Sequence, residues 1–328
     1  MPANLPPQYF AAEKKWREAA TIEEQIKALR EMLAIMPKHK GTEKLQGDLK
    51  RRIAKLQDEA RAQRKKGRRT HMGYVPKEGA GQVVIIGPPN AGKSALVKAM
   101  THAHPEVAPY PFSTQKPSAA MMPYEDIQIQ LVDTPPISQQ YTTPWLPNLI
   151  RLADLAVLVV GLDLDPAGQA QMVIDQMKKT STHLDGSGGE SDGQVAIVRV
   201  RTIIVGNKSD LPQARRNFHQ LGERLSPDFQ TVAISAEKQE GLEELKRKIF
   251  DALEIIRVYT KEPGKKPDLK QPYVLKHGST VLDVAAAVHR DFTSQLRYAR
   301  IWGSEKYDGQ NVQKNHLVED GDIIELHM

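Results

Sequence analysis

The chain of 328 residues contains no cysteine. That excludes a disulfide framework and any thiolate metal site, and it fits a reducing compartment. Long apolar runs are missing too. The longest, Leu155 to Leu162, is far too short to cross a bilayer and predicts a buried strand. The opening MPANLPPQYF has no apolar segment of signal-peptide type, so a secretory signal is not expected. No internal repeat is visible. His277, His289, His316 and His327 are irregularly spaced and lack a carboxylate pattern, so they predict surface or packing roles rather than a metal site. These absences lead us to expect a cytoplasmic, monomeric protein with no membrane segment.

What is present is a 40% apolar composition, ample for packed cores, on a length that suits two or three domains. The net charge of +6 is unevenly spread. Residues 1–80 carry 19 Lys and Arg against 10 Asp and Glu, whereas residues 272–328 carry 6 against 8. A basic end on a near-neutral body points either to a polyanionic partner such as RNA or to a solvated helix face.

Three regions follow. Ile22, Ile26, Leu29 and Leu33 form one helical apolar stripe, and Leu45, Leu49, Ile53 and Leu56 form a second. Thr21-x-x-Glu24 has capping-box spacing and marks a break along the first helix. Pro37 ends that helix, Lys38–Gly41 turns, and a basic run from Arg61 to Arg69 closes the unit. Residues 1–70 therefore predict a basic helical hairpin, followed by a linker over 70–80. Residues 81–260 alternate short β-branched runs with amphipathic segments, which predicts an α/β domain with a mostly parallel sheet. Strands are expected at Val83–Ile86, Ile127–Val132, Leu155–Val160, Thr202–Val205 and Thr231–Ile234, with Gly241–Leu253 as a closing helix. The polar, glycine-rich stretch 181–194 predicts a mobile surface insertion. After a linker at Lys261–Lys266, residues 270–328 predict a small β-grasp module whose helix is opened by Thr280-x-x-Asp283.

Gly87-Pro88-Pro89-Asn90-Ala91-Gly92-Lys93-Ser94 matches G-x-x-x-x-G-K-[ST], with a strand before it and a helix after it. Such a P-loop wraps phosphates with backbone N–H groups at a helix N-terminus, so Gly87 through Ala95 are expected to contact nucleotide. Lys93 should reach the β- and γ-phosphates, and Ser94 should ligate Mg²⁺. Asp133, with Thr134 beside it, ends an apolar strand where a second acidic Mg²⁺ group belongs. Asn207-Lys208-Ser209-Asp210 has the form of a guanine-reading tetrad. The Asp210 carboxylate can accept from guanine N1–H and the 2-amino group, and adenine offers neither donor. A site built to pair such groups rejects the analogue lacking them by about 10⁴ or more, so GTP and GDP are expected rather than ATP. Ser235-Ala236 should support the base through a backbone N–H. Thr114, in Tyr110-Pro-Phe-Ser-Thr-Gln, is placed to close on Mg²⁺ and the γ-phosphate, with Ser113 as its nearest rival.

Taken in order, GPPNAGKS, YPFST, DTPP, NKSD and the C-terminal LKHGSTVLDVAAAVHRDF…RYARIWG…LVEDGDIIELH resemble the Obg-related GTPases. The chain looks most like their developmentally regulated GTP-binding (DRG) branch, and its last stretch is similar to a TGS domain, a β-grasp module. The resemblance spans nearly the whole length. It implies a P-loop NTPase G domain flanked by a helical hairpin and a TGS domain, Mg²⁺-dependent GTP hydrolysis, and a ribosome or RNA as partner. Three departures stand out. Asp133-Thr-Pro-Pro136 has proline where the family's glycine donates an N–H to the γ-phosphate, and proline has none. Ile137 follows, where many GTPases have a water-orienting glutamine. The stretch 181–194 is too short for the extra subdomain that many DRG proteins carry. In some related GTPases an asparagine at the Asn90 position helps hold K⁺, so K⁺-stimulated turnover with Asn90, Lys93 and Thr114 as catalytic groups is one expectation. The other is that Asn90 merely tolerates the loop's backbone angles.

Overall fold

The computed structural model describes residues 6–18, 22–36, 42, 46–56, 74–101, 117–187, 197–225, 228–304 and 307–327. Several sequence expectations fall outside them: Thr21, the turn Lys38–Gly41, the basic run Arg61–Arg69, Ser113, Thr114, and residues 188–194 of the insertion. The chain divides into two compact units, 1–74 and 75–328.

The first unit contains α1 (Pro7–Glu18), α2 (Ile22–Ile35) and α3 (46–56). Among the described residues the expected two-helix hairpin is instead three helices, with Pro7–Glu18 and Ile22–Ile35 as separate elements and α1 packed on α2. Leu29, Leu49 and Ile53 from the two stripes bury with Tyr9, Ala12, Met32 and Met36. The stripes found the core. The apolar stripe begins only at Ile22, whereas α1 adds Tyr9, Ala12 and the partly buried Trp16 to the same core.

The second unit opens on a seven-stranded sheet ordered β2-β3-β1-β4-β6-β5, with β7 also pairing β6. Its strands are β1 (Gln82–Ile86), β2 (Ser118–Tyr124), β3 (Ile127–Asp133), β4 (Leu155–Gly161), β5 (Thr182–Asp185), β6 (Val198–Asn207) and β7 (Gln230–Ala233). All pairings are parallel except β2 with β3. β1 and β4 are buried at every position, as a strand covered on both faces must be. Val83, Ile85, Leu155 and Val157 feed one core, closed by α4 (Lys93–Thr101) and α8 (Leu242–Leu253). Val84, Ile86, Ala156 and Leu158 feed the other, closed by α5 (Leu146–Leu152), α6 (Pro166–Lys178) and α7 (Ala214–Leu225). Two expectations change here. Residues 182–185, assigned to a mobile insertion, form β5 and pair with Val198–Arg201 of β6. Residues 75–80, assigned to a linker, run against β3: Ala80 donates to the Gln128 carbonyl and Val75 enters the core.

The second sheet is ordered β11-β10-β12-β8-β9. It comprises β8 (Ile255–Thr260), β9 (Asp268–Lys276), β10 (Tyr298–Trp302), β11 (Gln310–Val312) and β12 (Ile323–His327). α9 (Val281–Val288) and α10 (Arg290–Gln295) complete the module. Thr280 and Asp283 make the reciprocal capping box that the sequence predicts. The strand Ile255–Thr260, given by the sequence reading to the preceding domain, pairs with β9 and β12 instead. Lys261–Lys266 is accordingly the β8–β9 connection rather than an interdomain linker. α8 passes into β8 through a single residue, Glu254, at φ 48°.

The β2–β3 turn meets this second sheet. Arg257 on β8 forks onto Asp320, with Nε 3.0 Å from Oδ1 and Nη2 2.7 Å from Oδ2, and reaches Asp126 Oδ1 at 3.0 Å and Glu125. The Tyr259 hydroxyl donates to Asp126, and the Arg257 guanidinium lies 5.1 Å from the Phe250 ring centre. Three surrounding carboxylates raise the Arg257 pKa, with the Asp320 hydrogen bonds foremost.

Candidate functional site

The C-terminal ends of parallel strands are where open α/β sheets bind ligands, because chain leaves the sheet there in opposite directions. β1, β3, β6 and β7 end together at this edge, and the predicted site residues follow them.

Between Ile86 and Lys93 the chain turns from sheet to helix. Gly87 has φ 151°, and a Cβ there would lie 2.2 Å from the Val159 carbonyl oxygen, so the loop starts against β4 with no room for a side chain. Pro88 and Ala91 are buried, whereas Pro89, Asn90 and, on α4, Ala95 are exposed. Asn90 sits at φ 60°, a left-handed conformation that asparagine adopts more readily than most residues. The Lys93 ammonium is folded back onto the loop, 3.2 Å from the Gly87 carbonyl and 2.9 Å from that of Pro88. Burial pushes its pKa down, and the charge of Asp133 partly restores it.

Ser94, at the first turn of α4, donates its hydroxyl to Asp133 Oδ2 at 2.5 Å. The other carboxylate oxygen, Oδ1, is buried with no hydrogen-bond partner. A hydroxyl and a carboxylate converging at a helix N-terminus, with an orphaned buried oxygen, are the hard oxygen donors that suit Mg²⁺. Thr134 is turned away: its hydroxyl donates to the Ile85 carbonyl at 2.7 Å. Ile137 is fully buried in the core, and its backbone N–H donates to the Gly87 carbonyl at 3.0 Å. The position compared with a water-orienting glutamine is therefore a packing anchor for this loop.

At the other end, Asn207 links three segments. Its Nδ2 donates to the Ala91 carbonyl at 2.9 Å, and its Oδ1 accepts from the Ala236 N–H at 3.0 Å. Gly92 is the counterpart, since a Cβ there would lie 2.1 Å from Asn207 Nδ2 and its φ is 90°. Asp210 is exposed and accepts from the buried Ser235 hydroxyl at 2.6 Å, which holds its carboxyl below the usual range. Lys208, at φ 68°, pairs with Asp163 at 2.6 Å. Asp163 was missed from the sequence. It lies 45 residues from its partner, and only the adjacency of β4 and β6 brings the two together.

The geometry thus gathers Gly87–Ala95 and Asp133 with Asn207, Lys208, Asp210, Ser235 and Ala236, while the predicted Thr134 side chain is bonded to β1 instead. Thr114 lies outside the described residues. Among the described residues no helix is long and apolar enough to cross a membrane.

Family comparisons agree with this layout. The 50S ribosome-binding GTPase family matches residues 82–198, and the TGS domain family matches residues 256–328, which includes β8. An uncharacterized GTP-binding protein of Methanocaldococcus jannaschii is 31% identical, with 93% of this chain and 92% of that protein covered. Developmentally-regulated G-protein 1 of Arabidopsis thaliana is 27% identical over 93% of this chain and 91% of its own length. The solved structure of the Schizosaccharomyces pombe YchF GTPase, 14% identical, covers 78% of this chain and 100% of that chain with a TM-score of 0.53, a likeness of fold alone. With a P-loop GTPase domain and a C-terminal TGS domain in one chain, the protein belongs to the developmentally regulated GTP-binding family of Obg-related proteins.

Proposed function

We propose that this GTP-binding protein is a Mg²⁺-dependent GTPase switch that hydrolyses GTP to GDP and phosphate and acts on a ribosome or RNA in the cytoplasm, as a monomer. The observation that carries the Mg²⁺ assignment is the Ser94–Asp133 contact at 2.5 Å beside the unpartnered Asp133 Oδ1. Bound there with Thr114, Mg²⁺ would offset charge on the β- and γ-phosphates. Lys93, which now satisfies itself on the Gly87 and Pro88 carbonyls, would exchange them for phosphate oxygens, and the N–H groups of residues 90–95 would wrap the phosphates. Asp210 would read guanine, oriented by Ser235, while Asn207 ties the base loop to the P-loop and positions the Ala236 N–H.

Catalysis in such a site is positioning and charge stabilisation around an in-line water. Ile137 stands where many GTPases have the water-orienting glutamine, so unassisted turnover should be slow, on the order of 10⁻⁴ to 10⁻² s⁻¹. Asn90 and a K⁺ ion would supply part of the missing positive charge. The ribosomal or RNA partner is supported by the +9 balance of residues 1–80 and by the matched GTPase family's description.

A second reading, a GTP-regulated tethering module with negligible turnover, is favoured by one feature. Pro136 has no N–H, and the Ile137 N–H is already bound to Gly87, so neither is offered to a γ-phosphate in this conformation. Single-turnover GTP hydrolysis in KCl and in NaCl, with and without ribosomes, separates the two. Turnover that rises with K⁺ or ribosomes supports the switch. Tight GTP binding without turnover in every condition supports the tether. Lys93→Ala should abolish tight GTP binding in either case, and normal affinity in that variant would refute the P-loop role.

A further inference from the structure

We propose that Asp163 is a positioning residue of the guanine pocket: it holds the Lys208 ammonium at the end of β4 and so keeps that cation off Asp210, leaving the Asp210 carboxylate for the base. This rests on the base-reading role of Asp210 given above.

Lys208 and Asp210 share one turn after β6, two residues apart. A flexible lysine stem in a partly exposed turn would find a neighbouring carboxylate unless another claims it. Asp163 claims it, with Nζ to Oδ2 at 2.6 Å and both side chains about one-third exposed. Asp210 is instead held by the Ser235 hydroxyl, with the charge of Lys238 also lowering its carboxyl.

Asp163 is well placed to win this competition because its loop is fixed. Asn217 on α7 donates to the carbonyls of Leu162 at 2.7 Å and Leu164 at 3.0 Å, and Gln213 donates to that of Asp163 at 3.3 Å. The Leu162 N–H donates to the Asn207 carbonyl at 2.9 Å, which ties the loop directly to the base tetrad. Gly161 leaves room for the pair: a Cβ there would lie 2.3 Å from Asp163 Oδ1 and 3.7 Å from Lys208 Nζ. Since Gly161 and Asn207 are register partners, the Lys208 stem crosses from the end of β6 to the end of β4, along the edge where the other base residues converge. The ion pair therefore does two things. It orders that stem as a wall of the base crevice, and it removes a competing cation from Asp210.

The test is competition of GDP and IDP, which lacks the 2-amino group, against a fluorescent GDP analogue on the full chain with Mg²⁺. Asp163→Asn should weaken GDP about ten-fold, the scale of one hydrogen bond to a charged group, and should narrow the GDP-over-IDP preference. Asp163→Glu should restore most of both. In a Lys208→Met background, Asp163→Asn should have no further effect. The GDP-to-IDP ratio does not depend on the folded fraction, so a merely structural loss leaves it unchanged. An unchanged ratio in Asp163→Asn, or a loss that persists without Lys208, would overturn the proposal. Asp210→Asn separates the two layers. If it leaves the guanine preference intact, the base-reading role fails and this inference fails with it. If it abolishes the preference while Asp163→Asn does not change it, only the positioning role falls.

Discussion

Replacing Arg257 with alanine should loosen the joint between the nucleotide domain and the β-grasp module. The Arg257 side chain is 13% exposed and serves Asp126, Asp320 and Glu125 at once. Glu125 is 58% exposed, so its share is largely screened. Asp126 and Asp320 are 21% and 34% exposed and accept three well-formed guanidinium bonds between them. Hydrogen bonds to charged groups contribute about 1.5–3 kcal/mol each when shielded, and less at partial exposure. The guanidinium over Phe250 adds roughly 1 kcal/mol. Allowing for non-additivity within one cluster, truncation should cost about 3 kcal/mol. For a unit of this size each kcal/mol lowers the melting temperature by about 2–4 °C, so a fall of roughly 6–12 °C is expected by calorimetry. Arg257→Lys should recover only part, because an ammonium cannot reproduce the planar fork on Asp320. A second check is a cycle with Asp126→Asn, whose effect should shrink once Arg257 is gone. Melting within about 1 °C of the parent protein would refute the view that this cluster joins the two sheets energetically.

Restoring a glutamine at Ile137 should not speed hydrolysis. The side chain is fully buried, so an unpaired amide there costs about 2–4 kcal/mol, visible as early melting with unchanged single-turnover rates. Gly92→Ala should cut guanine-nucleotide affinity at least about ten-fold in a fluorescence titration. Its Cβ would lie 2.1 Å from Asn207 Nδ2, the atom that ties the base loop to the P-loop, and one lost buried hydrogen bond is on that scale. Acid should loosen the β-grasp module. The Lys261 ammonium, at 2.5 Å, holds the Glu325 carboxyl below its usual range; at Asp320 burial pushes upward, but the Arg257 hydrogen bonds prevail and lower it. Folded pKa values below the unfolded ones give stability that is full above about pH 5 and is lost as pH falls through the folded values. Melting temperatures should therefore be level from pH 7 to about 5 and drop below that, and Glu325→Gln should flatten the acid limb.

Much of the site could be read from the sequence because its parts are local. A P-loop is a contiguous strand–turn–helix, so Gly87 to Ser94 specify it without knowledge of the rest. The tetrad Asn207–Asp210 is likewise one turn after one apolar strand. Buried parallel strands such as Leu155–Gly161 announce themselves as unbroken apolar runs. What escaped depends on pairing across the chain. β2, Ser118–Tyr124, mixes small, sulfur-containing and proline residues, and it is a strand because β3 pairs with it along its whole length. β5 is four residues of ordinary polarity that become a strand only against the start of β6.

The boundary at β8 shows most clearly why local pattern alone misleads. Ile255–Thr260 follows the closing helix of the nucleotide domain with one intervening residue, and its apolar, β-branched character would suit either sheet. The sheet it joins is decided by partners that come later in the chain: β9 runs antiparallel beside it and β12 pairs parallel at Ile323 and Ile324. Placing β8 there has a consequence for how the halves are tied. Because β8 continues straight from α8 and carries Arg257 and Tyr259 to the β2–β3 turn, the module is held by its own first strand rather than by a tether. That same hairpin ends at Asp133, the carboxylate facing Ser94. One β-ribbon thus touches the nucleotide site at one end and the β-grasp sheet at the other. Its seven register pairs, from Ser118–Asp133 to Tyr124–Ile127, make it a stiff connection between the two.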